Sequence, residues 1–358
     1  MDSNNPQNNA PAVAGAITFP SRSQDVHPAP VQPRQPRNLQ GLLRFAMEAT
    51  KAEDAPGDST LGPMDEERRK FLEEALKSLT VDIAEVLHTS ITTLTDAEKM
   101  KSIQLGQPLP EDVQSAFNNL LEYIDDIDVA NDFYKMGGFA IFPIAYGSEN
   151  DEIRALASTV LAEVCQNNPC CQARALECGI LNVLLNLVQS ERGQALTKCL
   201  YAISCASREY SPACRELTAQ GGCDTLAELV ATPEPAARTK VAFLIRYLCH
   251  HYREAKEQFI KLNLVKIIAE QIKKGRDATT EHLLSTLLAL VDGPDPVVLA
   301  QCRDPSVGLR NILEDLLKHP DLIGERFREE RDYCQELLKQ VFTDCAQVEP
   351  MDDVVADR

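Results

Sequence analysis

Tryptophan is absent from this chain, and phenylalanine, tyrosine and tryptophan together make up only 5% of it. Strand signals are few and glycine is scarce, which turns the reading away from sheet-based folds. No apolar run approaches the ~18–20 residues needed to cross a bilayer as a helix, so no membrane span is expected. The opening residues, Met1-Asp2-Ser3-Asn4-Asn5-Pro6, lack the basic start of a signal peptide. Basic residues are in deficit: 36 Lys and Arg stand against 54 Asp and Glu, a net charge of −18. Affinity for nucleic acid rests on neutralising phosphates, so nucleic acid is a poor partner, as is an anionic membrane surface. The ordinary role of such acidity is to keep a surface hydrated.

The chemistry of enzymes is missing too. There is no phosphate-binding glycine loop, no GxSxG and no HExxH, and the histidines are isolated apart from His250-His251. Carboxylate pairs such as Asp125-Asp126 fall on polar helical faces. Twelve cysteines are present, yet none forms a CxxC pair. Cys165, Cys170, Cys171 and Cys178 cluster, and Cys249 precedes the two histidines, but these spacings match no zinc pattern. They read as small residues buried in helix packing, with free thiols kept reduced in the cytoplasm or nucleus. No catalytic residue, metal or cofactor is expected.

What the chain does contain is a repeat. Five apolar lines can be laid in register: Leu121-Glu122-Tyr123-Ile124, Leu161-Ala162-Glu163-Val164, Ile203-Ser204-Cys205-Ala206, Ile245-Arg246-Tyr247-Leu248 and Leu287-Leu288-Ala289-Leu290. Their third members, Tyr123, Glu163, Cys205, Tyr247 and Ala289, lie 40, 42, 42 and 42 residues apart. A second marker, Gly138, Gly179, Gly222 and Asn263, breaks the chain between apolar runs at nearly the same interval. A period of roughly 40–47 residues with two or three helices per unit is that of armadillo and HEAT repeats. Such units cannot bury their apolar stripes alone and stack into one continuous core. The expected fold is all-α, an armadillo-like right-handed superhelical solenoid with helical caps and a disordered N-terminal arm.

Residues 1–36, rich in Asn, Gln, Pro and Ala, lack the apolar surface to offset ordering and read as a disordered tail. Residues 37–63 hold an apolar island on a tether. Leu39, Leu42, Leu43, Ala46 and Met47 share one helical face, and Pro56-Gly57 and Gly62-Pro63 separate the island from the helices beyond it. It is either a helix that docks on the domain or a peptide offered to a partner. Residues 64–115 read as an N-terminal helical cap. It begins with a helix over 64–79, whose core face is Phe71, Leu72, Ala75, Leu76 and Leu79. Thr95-Asp96-Ala97-Glu98 is a capping box that opens another. The repeats occupy 116–303. Residues 304–345 form a C-terminal helical cap with the stripes Leu309, Ile312, Leu313, Leu316 and Leu337, Leu338, Val341, Phe342, and 346–358 an acidic tail.

In such a stack the ladder helices line a groove. One turn before each ladder position stand Asn119, Thr159, Tyr201, Phe243 and Ser285, and seven residues before it Ala116, Leu156, Lys198, Lys240 and His282, all on one face. The middle of the groove is thus aromatic (Tyr201, Phe243, Tyr247), with Lys198 and Lys240 in equivalent places. Aromatics beside cations are typical interface anchors. Peptide-carrying armadillo proteins use a ladder of Asn with Trp stacked one turn away. Neither is present here, so a folded partner suits the groove better than an extended basic peptide.

At this point the residues resemble a known family. Pro36-Arg37-Asn38-Leu39-Gln40-Gly41-Leu42-Leu43, Met64-Asp65-Glu66-Glu67-Arg68-Arg69, Leu200-Tyr201-Ala202-Ile203-Ser204-Cys205 and Ala242-Phe243-Leu244 are similar to the Hsp70-binding-protein and Fes1-like family of nucleotide exchange factors, over residues 36–345. The resemblance implies a co-chaperone that clasps lobe II of the Hsp70 nucleotide-binding domain and promotes release of ADP and of substrate. Tyr123, Asp126, Ala130, Glu163, Lys198, Tyr201, Cys205, Lys240, Phe243 and Tyr247 would then form the partner-binding groove. Ala130, in the matching run Ile127-Asp128-Val129-Ala130-Asn131-Asp132, would let the partner approach closely. The island would be a release segment, with residues 37–47 entering the Hsp70 substrate-binding domain. There Leu39, Leu42, Leu43 and Phe45 would stand in for substrate beside Arg37. The expected protein is monomeric and cytoplasmic, with the nucleus open to it. The alternative is a generic armadillo scaffold with no exchange activity.

Overall fold

The computed structural model describes residues 81 to 343 except Pro294, together with Lys70. The chain divides into two units, 1–81 and 82–358, and the helical stack belongs to the second. The tail, the island and the 64–79 helix lie outside the described residues, as does the acidic C-terminal stretch.

Every regular element among the described residues is helical. Two helices come first, α1 (Ile83–Leu94) and α2 (Ala97–Ser102). Then α3 (Glu111–Tyr123), α4 (Ile127–Lys135) and α5 (Ile141–Tyr146) make a first unit. The same order recurs as α6 (Asp151–Cys165), α7 (Pro169–Glu177) and α8 (Ile180–Ser190), and again as α9 (Gly193–Ser207), α10 (Ser211–Ala219) and α11 (Gly222–Leu229). A fourth unit holds α12 (Pro235–His251), α13 (Arg253–Lys261) and α14 (Leu264–Lys273). The fifth holds α15 (Thr280–Val291), α16 (Pro296–Arg303) and α17 (Leu309–Leu317), and α18 (Arg328–Phe342) closes the row. The ladder helices α3, α6, α9, α12, α15 and α18 pack in series. Their buried stripes merge into one core running the length of the stack. Among the described residues no single helix is long and apolar enough to cross a membrane.

The unit edges differ from the sequence expectation. α3 starts at Glu111, so a boundary at 115/116 cuts its second turn. α17 completes the fifth unit, so that unit runs on past 303, and α18 alone takes the place of a sixth ladder helix. The capping box also moves by one residue. Asp96, not Thr95, caps α2, accepting from the Lys99 N–H at 3.1 Å. The Thr95 hydroxyl instead donates back to the Ile91 carbonyl at 2.7 Å and closes α1.

The glycine marker sharpens in the same way. The left-handed residue that lets the chain turn into the third helix of each unit is Gly137, Gly179, Gly221, Asn263 and Gly308. The first four of these are each 42 residues apart. Gly138 and Gly222 are needed for a different reason: a Cβ on them would collide with the Phe133 ring and with Leu217, respectively. Each Gly-Gly pair therefore combines one residue chosen for its dihedral with one chosen for close approach.

Buried polar residues lock consecutive ladder helices at their N-terminal ends. Asn150, 1% exposed, caps α6 and donates its amide to the carbonyls of Gln104 and Gln107 at 3.0 and 3.1 Å. Arg154 of α6 forms a two-point ion pair with the buried Glu191 ahead of α9 and donates to the Ser148 carbonyl at 2.7 Å. Two units on, Arg238 of α12 repeats the arrangement. It donates to the Thr232 carbonyl at 2.7 Å, to the Thr279 hydroxyl at 2.9 Å and to Asp277. Arg276 grips the buried Glu330 of α18 at 2.8 and 3.0 Å.

Most cysteines pack inside, as their small size suits: Cys165, Cys171, Cys199, Cys214, Cys223, Cys249, Cys302 and Cys334 are buried and free. Cys170 and Cys178 depart from the expectation. Cys170 lies in the first turn of α7 and Cys178 caps its C-terminal end, and both are exposed. No cluster of metal-ligating side chains occurs among the described residues.

Candidate functional site

The residues just past α6, the C-terminal half of α9 and α12 from Lys240 onward enclose a groove of about 650 Å³. Five of the expected residues meet in it: Tyr201, Cys205, Lys240, Phe243 and Tyr247. The repeat puts them there. Tyr201 and Phe243 occupy one register position in successive units, and Cys205 and Tyr247 the next turn of the same helices.

Each aromatic ring carries a cation. The Lys240 ammonium stands 4.8 Å from the centroid of Tyr201. The Arg246 guanidinium lies 5.4 Å from Phe243, and that of Arg208 5.2 Å from Tyr247. Histidines extend the stacking, His282 at 4.6 Å from Phe243 and His251 at 4.6 Å from Tyr247. The Tyr201 hydroxyl lies 3.3 Å from Glu163 and 3.2 Å from the Gln166 side-chain oxygen, to which it donates. Burial, reinforced by Cys205 and Glu163, holds this phenol in its neutral form. Burial likewise pushes the Cys205 thiol up to about 11, so it is no nucleophile at neutral pH. Burial lowers the pKa of His250, which favours the uncharged imidazole.

The cations of this surface rest on aromatic rings. Elsewhere cations such as Arg174, Arg253, Lys266 and Arg310 sit beside carboxylates. Lys198, Arg208, Lys240 and Arg246 have no carboxylate within salt-bridge distance among the described residues. Three cations stacked on three aromatic rings within one groove are what mark this surface. It suits an acidic, folded surface of another macromolecule.

The remaining expected residues are placed differently. Glu163 flanks the groove through Tyr201. Lys198 is half-buried one turn before Tyr201. Tyr123 ends α3, and Asp126 caps α4 by accepting from the Asp128 N–H at 2.8 Å. Ala130 is a correction: it is 1% exposed, with its carbonyl facing the Cys171 thiol. Its small side chain serves the packing of α4 on α7 and leaves no surface for a partner. Arg37, Leu39, Leu42, Leu43 and Phe45 lie outside the described residues.

Sequence reasoning missed Gln166, Asn167, Ser204, Arg208, Glu209, Arg246, His250 and His251, which complete the lining. A signal existed for some. Asn167 and Glu209 are 42 residues apart and both take a left-handed backbone, so the repeat continues past the helix end. Arg246 flanks the apolar stripe, three residues after Phe243, where only tertiary packing decides which way a long side chain folds.

Comparison with known proteins agrees with this architecture. A family model described as the SIL1/FES1/HPBP1 C-terminal domain matches residues 129–257, and one described as nucleotide exchange factor Fes1 matches 39–133. The chain is 28% identical over 330 residues to Hsp70-binding protein 1 of Homo sapiens, covering 87% of each chain. It is 29% identical over 321 residues to the Mus musculus protein of that name, again covering 87% of each. A designed armadillo repeat protein superposes with a TM-score of 0.55 at 14% identity, over 71% of this chain and 99% of that one, which speaks to the fold alone. With two matched models spanning residues 39 to 257 and relatives aligned along most of its length, the chain belongs to the SIL1/FES1/HPBP1 family.

Proposed function

We propose that this chain is a nucleotide exchange factor for an Hsp70 chaperone. It would seat lobe II of the chaperone's nucleotide-binding domain in the groove between α6, α9 and α12. The observation that carries this reading is the row of unpaired cations on Tyr201, Phe243 and Tyr247 in a member of this family. The mechanism asks no covalent chemistry of the chain. A partner that binds the opened, ADP-free state better than the closed, ADP-bound state weakens ADP binding by the same factor. Moving the chaperone from mostly closed to mostly open takes a differential affinity of roughly 10⁴, about 5.5 kcal/mol. Several repeats burying on the order of 1,600 Å² against a domain have the contact area for this.

Residues 37–47 would serve the second step, release of substrate, by competing for the peptide-binding cleft. The chain would act in the cytoplasm, as a monomer. Stopped-flow release of fluorescent ADP from purified Hsp70 tests the reading. Acceleration that saturates with added protein is expected. Binding without acceleration would identify a scaffold instead, and equal affinity for the chaperone with and without ADP would refute the mechanism.

A further inference from the structure

We propose that the joint between α9 and α12 is a hinge in the stack, whose polar ties lie only on the groove side. The other joints between ladder helices are locked by buried polar groups. Asn150 ties α6 to the segment that leads into α3, Arg154 with Glu191 locks α6 to α9, Arg238 with Asp277 and Thr279 locks α12 to α15, and Arg276, just ahead of α15, locks onto Glu330 of α18. In α9 the register position shared by Arg154 and Arg238 is Leu196, fully buried and without a polar atom to reach α12.

Among the described residues, the polar ties between the ladder helices α9 and α12 all lie in the groove. The backbone N–H of Glu209, just past α9, donates to the Tyr247 phenol oxygen at 2.7 Å. Lys240 lies on the Tyr201 ring and Arg208 on the Tyr247 ring. Glu209 holds a left-handed backbone, with φ of 59°, to present that N–H. Behind the ladder layer, buried packing of α13 against α11 continues across the same joint and supplies a pivot. An exposed hydrogen bond and two cation–π contacts resist opening less than a buried two-point ion pair does. The N-terminal ends of α9 and α12 are thus joined by apolar packing alone, and the polar contacts that bias the angle about that pivot lie in the groove.

The soft joint thus lies under the surface proposed to seat the partner. The hinge stands independently of that reading, but its coupling to occupancy rests on it. A partner that competes for Arg208, Lys240 or Tyr247 would change the bend of the whole stack, by the shift in population that differential contacts allow.

The test uses the full chain with spin labels on genetically encoded unnatural residues, which spares the native cysteines. Glu152, Gln194 and Ala236 are exposed, 42 residues apart, and occupy matching positions near the starts of α6, α9 and α12. Pulsed dipolar spectroscopy on the free protein is expected to give a 194–236 distance distribution roughly twice as wide as the 152–194 distribution, as for a hinge beside a rigid joint. Equal widths would overturn the hinge. Tyr247→Phe keeps the ring and removes the oxygen that Glu209 binds. It should widen 194–236 further and leave 152–194 unchanged, and no change in 194–236 would overturn control from the groove. Addition of nucleotide-free Hsp70 should narrow 194–236. If it accelerates ADP release without narrowing the distribution, the coupling is wrong while the exchange reading stands. If the distribution is wide and no exchange occurs, the hinge stands and the exchange reading falls.

Discussion

The ammonium of Lys240, on α12, rests 4.8 Å from the centre of the Tyr201 ring, on α9. Two successive units thus share one cation–aromatic pair on the floor of the groove. Neither residue has this meaning by itself: the lysine is a solvated charge and the tyrosine a packing residue until the repeat brings them together. Reversing the charge at Lys240 and removing the neighbouring ring with Lys240→Glu, Phe243→Ala should abolish Hsp70 binding. Helicity should stay at the wild-type level, because both side chains are only half-buried. Circular dichroism and ADP-release kinetics on one preparation check this, and wild-type stimulation by the double variant would refute the groove assignment.

Because the cations of the groove lack carboxylate partners, association with an acidic surface should be steered electrostatically. The on-rate is expected to fall steeply as salt rises and the Debye length shrinks from ~10 Å at 0.1 M to ~3 Å at 1 M. Arg208→Gln and Arg246→Gln should flatten that dependence. Surface binding kinetics across a salt series measure it, and a wild-type on-rate indifferent to salt would point to an apolar contact.

Deleting residues 37–47 should leave ADP release intact and slow the dissociation of bound substrate from Hsp70. Fluorescence anisotropy of a labelled peptide tracks the second step. Unchanged peptide dissociation would mean that the island docks on its own domain.

Removing one member of a buried ion pair leaves the other charge uncompensated, at a cost of ~3–5 kcal/mol. Arg154→Ala, which orphans the 5%-exposed Glu191, should therefore lower unfolding stability by about 3 kcal/mol in denaturant titrations. At the equivalent clamp, burial pushes the Asp277 carboxyl up, but hydrogen bonds from Thr279 and the Arg238 charge outweigh it and set the pKa below the ordinary 3.8. Linkage gives the sign. The folded value lies below the unfolded one, so the contribution is complete above pH 3.8 and is lost as pH falls through the folded value. Asp277→Asn should thus reduce stability at neutral pH and blunt its decline as pH falls below 3.8, which urea titrations at each pH resolve.

The paired glycines allow a sharper comparison. At Gly137 the demand is dihedral, with φ of 84° and open space around a Cβ; at Gly138 the Phe133 ring fills that space. Asn263 holds the position equivalent to Gly137 in the fourth unit, so Gly137→Asn should cost little in thermal denaturation. Gly138→Asn should be strongly destabilising, since the fully buried Phe133 has nowhere to go. Equal losses would show that the two glycines are not specialised.

The sequence by itself determined the number of units, their 42-residue spacing and the face that carries Tyr201, Phe243 and Tyr247. Those come from helical periodicity, which is local and repeats wherever the same apolar pattern repeats. Tertiary structure alone decided that Ala130 packs inside, that Arg154 and Arg238 are clamps while Leu196 is not, and that Arg208 and Arg246 turn onto the aromatic rings. Long side chains near helix ends can fold in several directions at similar local energy, and only the surface that the next unit brings against them selects one.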